Sequence, residues 1–401
     1  MTDALGLPTL AAFVSGCIFM VERMSGEELV ALVHRVFLPR GNERRMAILV
    51  DLPDAQVPDN PDWAARRVIA EDWCRELMAQ QAALGMTCEL VFYRNAHTNN
   101  GELPLHCWIH RDGASPGTAE ELDPANSISF DQLFMEHPIL LVLSEFSATA
   151  PLKMAARTRP IRAATMAGFR HDMVPALRLD YTEVNRRVAY LKELLDKATG
   201  ADFCFAYPGG EAELHLDLRF RQGHASGGLL PDPGTAGNLP SGEAYIVPYE
   251  GETETSRSAG ILPVQFGTEL VLYKIENNKA VSVLTQGGAS DGEAAHLAAE
   301  PAYGNIAELG LGVLAAFGVK PIGKVLLDEK LGLHIAFGRS EHFGGQVGPA
   351  NFSNPGALIH IDRVYVPETQ PDVVVKRVDL HMDEGHTLQL MRDGCYVVDF
   401  I

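Results

Sequence analysis

Residues 45–93 read "RMAILVDLPDAQVPDNPDWAARRVIAEDWCRELMAQQAALGMTCELVFY", and this stretch decides the fold class. "RMAILVD" at 45–51 is a short apolar run ending in an acid; "CELVFY" at 88–93 and "PILLVLSEF" at 138–146 repeat the type. Between the first two, Asn60 before Pro61 has the form of a helix cap and first-turn proline, Trp63, Val68, Ile69 and Leu77 recur at helical spacing, and Gly85 closes the segment. Strand, helix, strand in that order predicts a parallel sheet joined by crossovers. The turn-rich segment 99–127, "NNGELPLHCWIHRDGASPGTAEELDPANS", predicts a long surface excursion.

Outward from there the texture changes. "YTEVNRRVAYLKELLDKATG" at 181–200, preceded by Asp180, predicts an amphipathic helix with Val184, Val188, Leu191 and Leu194 or Leu195 on one face and Gly200 as its stop. Beyond it come alternating strands broken by glycine-rich turns, "AELHLDLRFRQG", "GEAYIVPYEG", "TELVLYKIE" and "AVSVLTQGG", and a helix around "GEAAHLAAEP". At 401 residues the chain exceeds what one core usually serves. The expectation is an α/β protein of two domains: an N-terminal α/β domain, 1–179, on a mainly parallel sheet, and a C-terminal metal-binding catalytic domain, 180–401, of β-strands with flanking helices. No internal repeat or low-complexity tract interrupts it.

Composition narrows the function classes. With 52 acidic against 33 basic residues the formal charge is -19, which disfavours a nucleic-acid partner because a phosphate backbone demands a basic patch. The acidic surface serves solubility first. Six cysteines (Cys17, Cys74, Cys88, Cys107, Cys204, Cys395) stand far apart without a C-x-x-C pair, as in reduced proteins, so a cytoplasmic setting is expected. The N-terminal apolar run "LAAFVSGCIFMV" at 10–21 has no basic flank and falls short of the roughly 20 residues of a spanning helix, so no membrane partner is expected either. There is no Walker-type phosphate loop, no serine nucleophile elbow and no H-E-x-x-H, and "GGASDG" and "FGGQVG" read as turns.

The chemistry concentrates late in the chain. In "ALIHIDRVYV" at 357–366 the strand period of two sets His360 and Asp362 on one face. In "LGLHIAFG" at 331–338, His334 sits in an apolar run where a lone imidazole must find a polar partner. Two histidines and a carboxylate are the minimum protein set for a catalytic metal with open positions. Glu243 in "NLPSGEAYIVP" and Glu308 in "GNIAELGLGV" are carboxylates in equally apolar company, which calls for a cation or strong donors. Each alone fits a hydrogen-bonded structural role; together they point to a metal site. His215 with Asp217, and His381 with Asp383, repeat the His-x-Asp alternation but read as solvated strand faces.

Three stretches, "RAATMAGFRHDMV" at 162–174, "GGLLPDPGTAGNLPSGEAYIVPYEGE" at 227–252, and "LGLHIAFG" with "IHID", resemble the M29 metallo-aminopeptidases over most of the chain. The resemblance implies Glu243, Glu308, His334, His360 and Asp362 as metal ligands. It further implies one or two divalent ions (zinc, cobalt or manganese), hydrolysis of an N-terminal peptide bond by a metal-bound hydroxide, a small peptide or other small-molecule substrate, and a homodimer. Glu308 counts among the catalytic groups as well as the ligands. Where the family carries a tyrosine after the histidine matching His334, this chain reads "GRSEHFGGQ". There Glu341, as general base, and His342 are the residues able to do acid–base work, and an exposed turn before Gly344 is the plainer reading. The fold is also similar to that of the 2,5-dihydroxypyridine dioxygenases, which use one ferrous ion on two histidines and an aspartate. His360 and Asp362 would serve that chemistry too, but those enzymes place the other histidine nearer the position of Glu308.

Overall fold

The computed structural model describes residues 22–400, so the apolar run at 10–21, with Cys17, lies outside the described residues. The strand Arg45–Leu52 is buried at every position after Arg45 and pairs in parallel with Thr87–Arg94 on one side and Ile139–Val142 on the other. Burial on both faces is what a central parallel strand requires, and it explains the unbroken apolar run. The crossover helix Pro61–Ala79 begins as its sequence predicts, with Asn60 Oδ1 accepting from the Trp63 N–H at 2.9 Å. Its buried face differs in one place: Val68 is 52% exposed and Arg66 is buried in its stead. Arg66 tolerates that position because its guanidinium reaches Glu145 at 2.6 Å.

The first sheet has seven strands in the order Thr235–Asn238, Arg162–Thr165, Ile139–Val142, Arg45–Leu52, Thr87–Arg94, His106–Ile109, Ile128–Ser129. The first five are mutually parallel and the last two add antiparallel. His106–Ile109 comes from within the surface excursion, where Cys107 turns inward and is fully buried. Thr235–Asn238 lies beyond the boundary expected at 180, yet it pairs with Arg162–Thr165 in the first sheet.

The helix Tyr181–Lys197 buries Val184, Val188, Leu191 and Leu195, with Asp180 capping Thr182. It stops at Lys197 rather than Gly200. Gly200 belongs to the following strand, Ala198–Tyr207, where a Cβ would come within 2.8 Å of the His215 ring. That strand sits inside an eight-stranded sheet with Gly210–Asp217 and Val374–Met382 as neighbours. The remaining sheet has five antiparallel strands, in the order His360–Val364, Leu333–Gly338, Ile306–Gly312, Glu243–Ile246, His224–Ser226. One apolar core joins residues from both halves, Ala164 and Met166 with Val184, Leu239, Leu309 and Ile335 among them. A second, with Leu49, Val91 and Leu140, fills the other face of the parallel sheet. Among the described residues no helix is long and apolar enough to cross a membrane.

Candidate metal centre

The five-stranded sheet gathers every ligand candidate on one face. Glu308 and Asp362 flank Ala336 from opposite sides, His334 stands opposite Gly310, His360 opposite Gly338, and Glu243 opposite Gly312. Period-two alternation then puts all five side chains on the same side. The glycine at 310 is what admits His334, because a Cβ there would lie 1.9 Å from the imidazole Nε2.

The donor atoms form two groups of three, Glu243 with Glu308 and His334, and Glu308 with His360 and Asp362, so Glu308 belongs to both. His334 Nε2 is 3.5 Å from Glu243 Oε2 and 3.5 Å from Glu308 Oε1. His360 Nε2 is 3.1 Å from Glu308 Oε2 and 3.6 Å from Asp362 Oδ1. Donors sharing a tetrahedral metal at 2.0–2.2 Å stand about 3.3–3.6 Å apart, which three of these spacings match, while His360 Nε2 and Glu308 Oε2 at 3.1 Å are at hydrogen-bond length. Three of the atoms involved, Glu243 Oε2, His334 Nε2 and Asp362 Oδ1, are buried and have no hydrogen-bond partner among the described residues. Buried polar atoms seldom go unpaired, and three orphans converging on one space fit a missing cation. His360 Nδ1 donates to the Arg339 carbonyl at 2.8 Å, which leaves Nε2 bare toward the site, the arrangement a metal-ligating histidine needs.

Electrostatics agree. Burial opposes protonation of His334, but Glu308, Glu243 and Asp362 outweigh it and lift the imidazole to about 9. His360 is pushed up in the same way, with Asp362 and Glu308 overcoming its burial. Burial would raise Glu308, yet His334 and His360 hold it well below the ordinary carboxylate range. The two imidazoles are held toward their protonated forms by Glu308 and Asp362, and a divalent cation would take the place of those protons.

Several residues here escape a reading of the sequence. Lys330 is buried with its Nζ 2.5 Å from Glu243 Oε1 and paired also with Glu329. Glu329 lines the adjoining cavity, and burial raises its carboxyl well above the usual range against the pull of Lys330. Lys153, carried by the helix Thr149–Ala156, lies over the Phe343 ring at 4.8 Å and near the Tyr245 hydroxyl at 3.4 Å.

The two acid–base candidates part company. His342 lines the cavity with its ring 5.4 Å from that of His360, its Nδ1 is unpartnered, and burial keeps it well below the ordinary imidazole range. Glu341, expected as the general base, pairs with Arg339 at 2.9 Å and is not among the residues that line the cavity. The local pair with Arg339, two residues back, determines its direction.

His215 and His381 also meet a carboxylate, but it is Asp202 on the strand between them rather than Asp217 or Asp383. Both contacts are 2.6 Å, hydrogen-bond length and too close for donors sharing an ion. Asp217 instead binds Arg219 and the backbone of Arg257.

The cavity of about 260 Å³ opens between the metal face and the carboxyl ends of the parallel strands. Ligands of open α/β sheets bind at that edge, where strand order reverses. No family model matches the sequence, and no curated protein matches it. Among solved structures, the 2,5-dihydroxypyridine dioxygenase of Pseudomonas putida KT2440 aligns with a TM-score of 0.61 at 15% identity, over 94% of this chain and 99% of that one. Wild-type AmpT of Thermus thermophilus, an aminopeptidase, aligns at 0.52 and 17% identity, over 93% and 99%. The chain therefore has a fold related to that of both enzymes over nearly its whole length.

Proposed function

We propose that the protein is a metal-dependent hydrolase that removes the N-terminal residue of small peptides. The observation that carries this reading is the division of the five ligand candidates into two groups joined by Glu308, with one histidine in each. A bridging carboxylate between two nitrogen-and-oxygen sets suits a pair of zinc, cobalt or manganese ions. A mononuclear oxygenase would instead need both histidines and one carboxylate in a single group.

Glu243, Glu308 and His334 would hold one ion, and Glu308, His360 and Asp362 the other. Bound there, such ions polarise a carbonyl and acidify a water. The rest falls to the chain's own groups. His342, on the wall beside His360, is placed to take a proton from the attacking water and pass it to the departing amine. Glu329, on the cavity wall with its carboxyl raised by burial, can accept a hydrogen bond from the substrate's α-ammonium, and Lys330 is the buried countercharge of Glu243.

A ring-cleaving dioxygenase on a single iron is the second reading. It is favoured by the commitment of Glu243 Oε1 to Lys330, which occupies part of one ligand set. Metal-stripped protein titrated with zinc, cobalt, manganese and ferrous iron separates the two. About two ions per chain and cleavage of leucine p-nitroanilide are expected. One iron per chain with oxygen uptake on 2,5-dihydroxypyridine would overturn the hydrolase.

A further inference from the structure

Opposite the metal face, the cavity wall is built from loops at the carboxyl ends of the parallel strands, and Asn99, Asn100 and Asn238 stand on it. In each the side-chain oxygen is already committed. Asn99 Oδ1 accepts from the Ser147 N–H at 2.8 Å, and Asn100 Oδ1 from the Ala150 N–H at 2.9 Å. Asn238 Oδ1 accepts from the Thr149 and Thr165 hydroxyls at 2.8 and 2.9 Å. A backbone N–H can only donate, so the orientation of Asn99 and Asn100 is fixed by chemistry. The Nδ2 groups of all three have no partner among the described residues and are left as donors on the cavity wall.

The charged groups on the same wall are already paired, anion and cation alike. Glu145 is held by Arg66 at 2.6 Å and by Asn60 at 3.0 Å, while Lys324 rests on Asp62 at 2.9 Å. The helix Thr149–Ala156 starts beside them, and its first N–H groups are already met by the Ser147 hydroxyl and by Asn100 Oδ1. Two amide nitrogens fixed as donors on one wall favour an acceptor-only group with several lone pairs, which a carboxylate is.

We propose that this wall is a carboxylate subsite, which receives the free C-terminal carboxylate of a short peptide while its N-terminal peptide bond lies at the metal face. The assignment rests on the hydrolase reading and deepens it by naming the substrate class as di- and tripeptides. The cavity, about 260 Å³, lies below the roughly 300–1,000 Å³ of pockets for drug-sized ligands, and both walls bound the same space.

The test compares leucyl-glycine as free acid with leucyl-glycine amide, in the metal-loaded enzyme and in its Asn99→Asp and Asn100→Asp variants. Each substitution keeps the oxygen that accepts from the backbone and replaces the donor with a repelling oxygen. The wild type is expected to favour the acid by at least about tenfold in kcat/KM, through KM, and each variant to lose that preference. Equal use of acid and amide by the wild type, or a preference that survives in both variants, overturns the subsite. If neither peptide is cleaved, the hydrolase reading fails on its own account. Equilibrium binding of the two peptides then decides the subsite: tighter binding of the acid, lost in the variants, upholds it, and equal binding overturns it. Two variants guard against misfolding of either, and circular dichroism checks each.

Discussion

Gly310→Ala is the sharpest probe of the metal centre, because it alters no ligand. Gly310 stands opposite His334, and a Cβ there would lie 1.9 Å from its Nε2. Ordinary van der Waals contact begins at 3.4 Å, so the imidazole must retreat by about 1.5 Å. Metal–ligand distances tolerate deviations of only about 0.2 Å, and such a retreat removes His334 from coordination. Loss of a mere outer-shell partner costs about 10–100-fold in affinity, so loss of this ligand should cost at least about 100-fold at the position served by Glu243, Glu308 and His334. The second group, Glu308 with His360 and Asp362, does not include Gly310's partner and is expected to keep its ion. Gly310 holds no left-handed angle, so the backbone accepts alanine, but the buried imidazole must move within a packed interior and a stability loss of about 1–3 kcal/mol is expected. Metal analysis after equilibrium dialysis, with a parallel urea titration, reads both quantities. A variant that holds two ions per chain at wild-type affinity would falsify the paired-site geometry, as would one that loses both while folding normally.

Two further outcomes follow from buried charge. Lys330→Met leaves Glu243 buried without its countercharge, so the metal-free protein should lose about 3–5 kcal/mol in denaturant unfolding; a change under about 1 kcal/mol would mean that the ion pair does not form in solution. Burial raises Asp51, at the carboxyl end of the central parallel strand, to about 6 from an ordinary 3.8, so the folded state holds this proton more tightly than the unfolded chain does. Its contribution is therefore complete below the unfolded value and lost as pH rises through about 6, worth about 3 kcal/mol in all. The difference in unfolding free energy between wild type and Asp51→Asn should shift by about 2.4 kcal/mol between pH 4 and pH 7, and a flat difference would refute the burial argument.

What could be read in advance divides by the range of the interaction. The crossover at 45–93 and the helix at 181–197 are local patterns, and both stand where periodicity puts them. The same holds for His360 and Asp362, two residues apart on one strand. Lys330 is different: in "LLDEKLG" it looks like part of a solvated turn, and only Glu243, 87 residues away, gives it a reason to be buried. Asp202 meets His215 and His381 across strands, whereas sequence proximity pairs those histidines with Asp217 and Asp383. The edge strand Thr235–Asn238 is four residues of small and polar type with no apolar alternation, so nothing local announces that it completes the first sheet.

The asparagine wall carries the same lesson into function. Asn99, Asn100 and Asn238 read as turn formers, which locally they are, since each uses its oxygen to tie a loop. For Asn99 and Asn100 that very use turns the nitrogen into a fixed donor, and only the pairing of Thr235–Asn238 with Arg162–Thr165 brings Asn238 to the cavity that they line. A metal face built within one antiparallel sheet is readable from short motifs because neighbouring strands and period-two spacing define it. A substrate face assembled from the ends of several parallel strands has no such spacing, so the identity of the ligand has to be argued from which donors remain unspent once the loops are tied.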